Sequence, residues 1–264
     1  MRIARVVCGI EAGGAGVGAA RRAARVAPDG APLVLVGAAD IGAAALGQPL
    51  GGDIDMGPMP IGPYMSLDDL EGAVRSDLER AEVALTGRPG VAIRVEVGSL
   101  APALDDAAGD DALLALDAPQ EGRIVGIIDG DPATWLMHHS ERPILLSRGG
   151  EDPGDFPRVV VAGVDGSPHS AVAAEAAGEI AARRGAELRL VMGRGGDRHA
   201  VDRLRERLPA HKLVEDDRSA VHALTEAGGD LIVVGSRGLH GLRALGSVSE
   251  RVAHGAKASV LVAR

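Results

Sequence analysis

A loop near the end of the chain holds the residues best suited to chemistry. The segment "VVGSRGLHGLRALGSVSERV" from Val233 to Val252 places glycines, arginines and serines between a predicted strand and a predicted helix. Glycine lets backbone N–H groups approach an oxygen closely, and hydroxyl and guanidinium groups donate hydrogen bonds to phosphate. The segment therefore predicts a phosphate-binding loop. A strand-to-helix turn in which Ser247 only caps the helix is the alternative.

A second stretch, "VDGSPHS" from Val164 to Ser170, follows another apolar run. Ser167 before Pro168 is typical of a helix start, with the serine at the cap and the proline in the first turn. Asp165 then lies at the end of a strand, where its carboxylate can bind a ribose hydroxyl, an adenine amine or a metal ion. Capping of the following helix is the alternative role for Asp165.

Short β-branched apolar runs alternate with Ala-, Leu- and Arg-rich stretches of helical period, which predicts a parallel sheet with helices on both faces. In the second half the predicted strands are Arg158 to Val164, Glu187 to Met192, Lys212 to Glu215, Leu231 to Val234 and Ser259 to Val262, and the predicted helices are Ser170 to Arg184, Asp197 to Leu208, Ser219 to Ala227 and Val248 to Ala256. Ligands of open parallel sheets bind at the carboxyl ends of the strands, so both stretches belong to one predicted pocket.

The chain repeats this pattern. The stretch "VVCGIEAGGAGVGAARRAARVA" from Val6 aligns without a gap on "VVAGVDGSPHSAVAAEAAGEIA" from Val160, and "GDPATWLMHHSERPILLSR" from Gly130 aligns on "GSVSERVAHGAKASVLVAR" from Gly246. Because the start and the end of one unit both recur, the unit is a whole domain. The stretch between the units is rich in glycine, proline and acidic residues, as in a linker. We predict domains at residues 1–148 and 158–264, joined by a linker at 149–157.

Composition excludes several classes of protein. Hydrophobic residues make up 46% of the chain and aromatic residues only 1%, which predicts a core of Ala, Val, Leu and Ile and no base-stacking platform. A formal net charge of −9 argues against nucleic acid as a partner. The single cysteine, Cys8, lies in an apolar run and is expected to be a small buried residue. No leader or membrane span is visible, so we expect a cytoplasmic protein.

The stretches "VVVAGVDGSPHS", "LIVVGSRGLHGL" and "LGSVSERVAHGAKASVLVAR" together resemble the universal stress protein family in its tandem two-domain form. The resemblance covers nearly all of the second half and, more faintly, the first half. It implies two flavodoxin-like α/β domains, Rossmann-like and similar to the adenine nucleotide alpha hydrolases, each with an open parallel five-stranded sheet. Family members dimerise through their last strands, which implies that "ILLSR" from Ile144 and "VLVAR" from Val260 pair within one chain as a pseudodimer, or between two chains.

Nucleotide-binding members of the family carry Gly, two residues, Gly, nine residues, Gly and then Ser or Thr around the ribose and phosphates of ATP. The resemblance implies ATP as ligand, with or without Mg²⁺. The implied site residues are Val164, Asp165, Gly166, Ser167, Val191, Gly235, Arg237, Gly238, Gly246, Ser247, Val248 and Ser249. Only seven residues, "LHGLRAL", separate Gly238 from Gly246, so AMP, ADP or a cyclic nucleotide is an alternative ligand.

The first half keeps the family spacing, with Asp117, Gln120, Gly130 and Asp131 at the four positions, but only Gly130 is the residue that the family pattern has there. A carboxylate about 4 Å from a phosphate charge costs roughly 4 kcal/mol at an effective dielectric constant near 20. We therefore predict that the first half does not bind ATP. Its insertion at residues 40–65, rich in glycine, proline and methionine, predicts a surface loop that is either a lid or an inert connection.

The expected function is an adenine-nucleotide-binding stress-response sensor that uses the second half and is read by a regulatory protein. A scaffold of the same fold without a ligand is the alternative. No nucleophile, base and orienting residue come together in the sequence, so we expect at most slow ATP hydrolysis or autophosphorylation at Ser247 or Ser249. Gly14 and Gly16 match part of a dinucleotide-binding spacing, but the repeat alignment places them at a helix start.

Overall fold

The computed structural model describes residues 1–40, 66–86, 88, 90–118, 131–236 and 248–264. The strands in these ranges are β1 (Arg5–Gly9), β2 (Leu33–Ala39), β3 (Val91–Val97), β4 (Ala112–Asp117), β5 (Ile144–Ser147), β6 (Val159–Gly163), β7 (Glu187–Met192), β8 (Lys212–Glu215), β9 (Leu231–Gly235) and β10 (Ser259–Ala263). They form one ten-stranded sheet in the order β3-β2-β1-β4-β5-β10-β9-β6-β7-β8.

Eight α-helices accompany the sheet in the described ranges: α1 (Val17–Val26), α2 (Leu67–Ala84), α3 (Leu100–Ala107), α4 (Pro132–His139), α5 (Pro168–Arg184), α6 (Arg198–Arg205), α7 (Ala220–Thr225) and α8 (Val248–Gly255). A short 3₁₀-helix (Ala12–Gly14) precedes α1. Every strand and helix predicted for the second half is present, with ends displaced by three residues at most. The elements therefore follow local sequence signals closely in this half.

The sheet is two copies of one topology. Within each half five strands run parallel, and the strand order reverses between the first strand and the fourth, as in flavodoxin-like folds. The predicted fold class is confirmed. The halves join where β5 and β10 pair antiparallel, with Leu145 opposite Leu261, and both side chains are fully buried. The expected pairing of the last strands within one chain is thus observed, and it covers an edge that each half would otherwise expose.

Two apolar layers enclose the sheet, and each layer spans both halves. Helices α1, α2, α5 and α6 cover one face, whereas α3, α4, α7 and α8 cover the other. As predicted, the buried apolar residues are almost all Ala, Val, Leu and Ile. Small side chains of this kind let helices lie close to the sheet without aromatic spacers. Cys8 is fully buried in the first layer, which confirms its expected role.

The stretch between the halves, after Ser147 and before Val159, is anchored on the first layer. Phe156 is buried there, and the Arg22 guanidinium lies 5.7 Å from the centre of its ring. The domain boundaries at 148 and 158 stay a prediction. The predicted surface loop at residues 40–65 lies, apart from Asp40, outside the described residues. Among the helices that are described, none has both the length and the apolar character required to cross a membrane.

Candidate functional site

An open cavity of about 470 Å³ lies at the carboxyl ends of β6, β7 and β9 in the second half. The chain passes from β6 to β7 and β8 on one side and then returns to β9 and β10 on the other, so the strand order reverses between β6 and β9. A crevice at such a reversal is where open α/β sheets bind their ligands. The first residues of α5, α7 and α8 complete the walls.

Seven predicted site residues line this cavity: Val164, Asp165, Ser167, Val191, Gly235, Val248 and Ser249. Gly166 lies in the adjoining turn, and a Cβ added there would meet Ala200 and Asp197 rather than the cavity. Four others, Arg237, Gly238, Gly246 and Ser247, lie outside the described residues, as does the loop between them. The fold therefore gathers in one place the described residues that the sequence singled out from three separate stretches.

Asp165 is fixed at the mouth of the cavity by the turn that starts α5. Its Oδ1 accepts a hydrogen bond of 2.9 Å from the backbone N–H of Ser167. Ser167 Oγ in turn accepts one from the backbone N–H of Ser170, so Ser167 caps α5 as predicted. Gly166 between them has φ of 85°, a left-handed conformation that favours glycine. The carboxylate of Asp165 is thus held in place by the backbone of the turn.

The end of β9 passes directly beneath the first turn of α5. A Cβ on Gly235 would lie 2.2 Å from the carbonyl oxygen of His169, so only glycine allows this approach. Ser249 Oγ donates a hydrogen bond to the Gly235 carbonyl, which ties the start of α8 to the same strand end. The hydroxyl proton that we expected Ser249 to offer to a phosphate is therefore used by the main chain in this structure.

The loop after β7 also lines the cavity, although none of its residues is among the predicted site residues. It reads Gly-Arg-Gly-Gly from Gly193 to Gly196. A Cβ on Gly193 would meet Ala220 Cα at 2.5 Å, because α7 starts against this loop. Arg194 donates from Nε to the Asp217 carbonyl at 2.6 Å, which holds a guanidinium at the rim. Glycines and an arginine directly after a strand were the available signal, since the same pattern marked the loop after β9.

Two wall residues, Met137 and His138, come from α4 of the first half, and no local pattern could have indicated them. His138 Nε2 lies 3.1 Å from Oε1 of Glu250, which is in the first turn of α8 and also lines the cavity. Arg264, after β10, donates from Nη2 to the Met137 carbonyl at 2.6 Å. The first half therefore forms part of the wall of the second-half cavity.

The corresponding place in the first half is acidic. Asp117 ends β4 at the position that Gly235 occupies in β9, since each lies opposite the matching residue of the neighbouring last strand. Burial raises the pKa of Asp117, although the backbone amides of Gly16 and Ala19 at the start of α1 favour its ionised form. Partial desolvation and the charges of Asp117 and Asp131 raise the pKa of Glu11.

Asp131 caps a helix of the first half. Its Oδ2 accepts a hydrogen bond of 3.0 Å from the backbone N–H of Thr134, and it is the N-cap of α4. Gln120 and Gly130, the other two residues at the family positions, lie outside the described residues. The two described carboxylates of the degenerate motif thus lie close to the N-terminal amides of helices, where a phosphate would otherwise find its donors.

Two doubly wound five-stranded units, one of them with an open cavity at its strand reversal, define a tandem α/β protein of flavodoxin-like topology. A model described as the universal stress protein family matches residues 198–264. The crystal structure of a universal stress protein from Archaeoglobus fulgidus has the same fold, with a TM-score of 0.68 at 20% identity over 99% of this chain and 97% of that chain.

Two relatives found by sequence similarity are described as members of the same family. A universal stress protein of Mycolicibacterium smegmatis is 30% identical over 241 residues, which are 78% of this chain and 82% of the relative. A universal stress protein of Mycobacterium tuberculosis is 30% identical over 201 residues, which are 63% of each chain. This chain belongs to the universal stress protein family, as its motifs indicate.

Proposed function

We propose that the second half binds an adenine nucleotide in the cavity between β6 and β9, and that the chain acts as a nucleotide-responsive sensor. The observation that carries the proposal is that seven of the site residues implied by the family resemblance, from three stretches of the chain, line one cavity of about 470 Å³. Cavities of roughly 300 to 1,000 Å³ with apolar walls and a few polar groups are typical small-molecule sites. Occupancy would alter the surface that a regulatory protein reads.

The walls divide into an apolar and a polar part that match the two parts of a nucleotide. Val164 and Val191 are buried and offer an apolar surface for the adenine ring. The fixed carboxylate of Asp165 suits the ribose hydroxyls, which donate hydrogen bonds. The N-terminus of α8, on the β9 side, favours a phosphate, and the Arg194 guanidinium adds positive charge at the opposite rim, after β7. With ATP or ADP, Mg²⁺ would enter bound to the phosphate oxygens.

The first half would not bind ATP. Asp117, Asp131 and Glu11 place carboxylates around its strand ends, and burial together with repulsion from Asp117 and Asp131 already raises the pKa of Glu11. A nucleotide phosphate would add further negative charge to the same place. The proposed stoichiometry is therefore one nucleotide per chain.

Calorimetric titration with ATP, ADP, AMP and cyclic AMP, with and without Mg²⁺, tests the proposal. We expect saturation at one site per chain. Arg194→Glu should weaken ATP binding by about tenfold or more, because it replaces attraction with repulsion at the rim. Arg203→Glu is the matched control, since Arg203 is exposed in the same half and does not line the cavity. It should leave the affinity unchanged.

Two results of this titration would contradict the proposal. If none of the four nucleotides gives heat or raises the unfolding temperature, the chain is a scaffold of this fold rather than a nucleotide sensor. Two equivalent sites per chain would instead refute the assignment of the first half as a degenerate unit. The preferred nucleotide would show what the loop of seven residues between Gly238 and Gly246 selects.

A further inference from the structure

The contact between α4 and α8 follows a two-fold pseudosymmetry. His138 Nε2 lies 3.1 Å from Glu250 Oε1, and His254 Nε2 lies 3.3 Å from Thr134 Oγ1. The repeat alignment matches His138 with His254 and Thr134 with Glu250, so these are two copies of one contact. One copy joins an imidazole to a carboxylate, whereas the other joins an imidazole to a hydroxyl.

Two arginines repeat the same symmetry at the helix ends. Arg148, after β5, donates to the carbonyl of Ala253 in α8, and Arg264, after β10, donates to the carbonyl of Met137 in α4. The alignment matches these arginines with each other and these carbonyl residues with each other. Each half thus holds the last helix of the other half by its C-terminal end, where a cation is favourable.

His138 and His254 differ in whether they line the second-half cavity. The described residues that line the second-half cavity include His138 but not His254. The side chains of His138 and Glu250 are 13% and 9% exposed, so the pair is largely shielded from solvent apart from the cavity. Glu250 follows Ser249 in the first turn of α8, at the end of the cavity that we assign to phosphate.

From this asymmetry we infer that the cavity is a site shared by both halves, in which His138 of the first half contacts the anionic part of the nucleotide. This inference rests on the proposed function. The imidazole lies beside the Glu250 carboxylate, and both side chains border the cavity, so an Nε2–H of His138 that donates to the carboxylate offsets its charge toward the ligand. The first half, which lacks a nucleotide site of its own, would then determine how many phosphate charges the second half accepts.

The test compares His138→Ala with His254→Ala by titration with ATP and AMP. Both variants remove one imidazole from the same interface, and unfolding temperatures report that shared structural cost. We expect His138→Ala to weaken ATP by about tenfold and AMP by less, because the uncovered carboxylate repels each added charge. His254→Ala should leave both affinities unchanged. The conservative variant His138→Gln, which can still donate to Glu250, should recover part of the loss for ATP. Equal affinities in the two alanine variants would refute the inference.

A second measurement does not depend on nucleotide binding and separates the two proposals. Ser249→Cys places a thiol in the cavity wall, and its alkylation by iodoacetamide reports access to the cavity. Adding His138→Trp should slow alkylation several-fold by filling the shared space, whereas adding His254→Trp should not. Should the protein bind no nucleotide, slow alkylation in the first background alone would still support the shared cavity. The same rate in both backgrounds would disprove it.

Discussion

The two halves differ at the junction between their first strand and first helix. In the second half α5 begins at Pro168, and its first turn brings the His169 carbonyl over the end of β9. In the first half the helix begins at Val17, three positions later in the repeat, because Pro168 aligns with Gly14. The α-helix of the first half therefore starts almost one turn later, after the 3₁₀-helix Ala12–Gly14, at the place where the second half has its cavity.

A carboxylate from the neighbouring strand β4 lies at the start of α1. Gly16, the N-cap of α1, has no side chain to cap the helix, and the Asp117 carboxylate faces the amides of Gly16 and Ala19 instead. In the second half Ser167 provides the cap locally, and the equivalent strand position is the bare Gly235. One fold thus has an open cavity at this junction in one half and a carboxylate at the helix start in the other, where the helix lacks a local cap.

The largest difference in unfolding free energy between equivalent positions of the two halves should come from Gly235→Ala. The new Cβ would lie 2.2 Å from the backbone carbonyl of His169, which cannot move without shifting α5. We expect a loss of about 3 kcal/mol of unfolding free energy, measured by urea denaturation. Asp117→Ala changes the equivalent position, which already carries a Cβ, and should cost about 1 kcal/mol or less. Equal losses would show that the two junctions are equally crowded.

The next largest losses of unfolding free energy should follow replacement of the two arginines at the interface between the halves. Arg148 is 8% exposed and donates to the carbonyls of Ala253 and Ala258, whereas Arg264 makes one such bond within the described residues, to Met137. Arg148→Ala should therefore cost about 2 to 3 kcal/mol and Arg264→Ala about 1.5 kcal/mol in urea denaturation, since hydrogen bonds to charged groups contribute at this level. A larger loss for Arg264→Ala would contradict the predicted asymmetry.

The smallest effect should be the pH-dependent contribution of Asp117 to the stability of the fold. Burial raises its pKa in the folded state, so this group favours folding most at low pH and loses that contribution as the pH rises through its folded pKa. Asp117→Asn should therefore raise the unfolding temperature slightly near neutral pH. The difference from the parent protein should shrink between about pH 7 and about pH 4. Asp110→Asn, an exposed position in the same half, provides the control and should show no such trend.

Much of the fold could be predicted because its signals are local. The strand Glu187–Met192 and the strand Lys212–Glu215 have the predicted bounds, since apolar runs and turn residues mark both ends. The helix from Arg198 ends three residues earlier than predicted, at Arg205 rather than Leu208. Helix ends depend on which backbone groups find partners, and a periodic pattern does not show that.

The sequence by itself determined the family, the tandem repeat, the alternation of strands and helices, and the residues at the strand ends, because repeats and periodicity survive without any contact being known. Only the tertiary structure decided that Met137 and His138 border the second-half cavity, and that Asp117 lies against the start of α1. These facts depend on the antiparallel pairing of β5 with β10 and on the position of a helix turn. Both arise from packing between residues far apart in the chain, which local pattern does not encode.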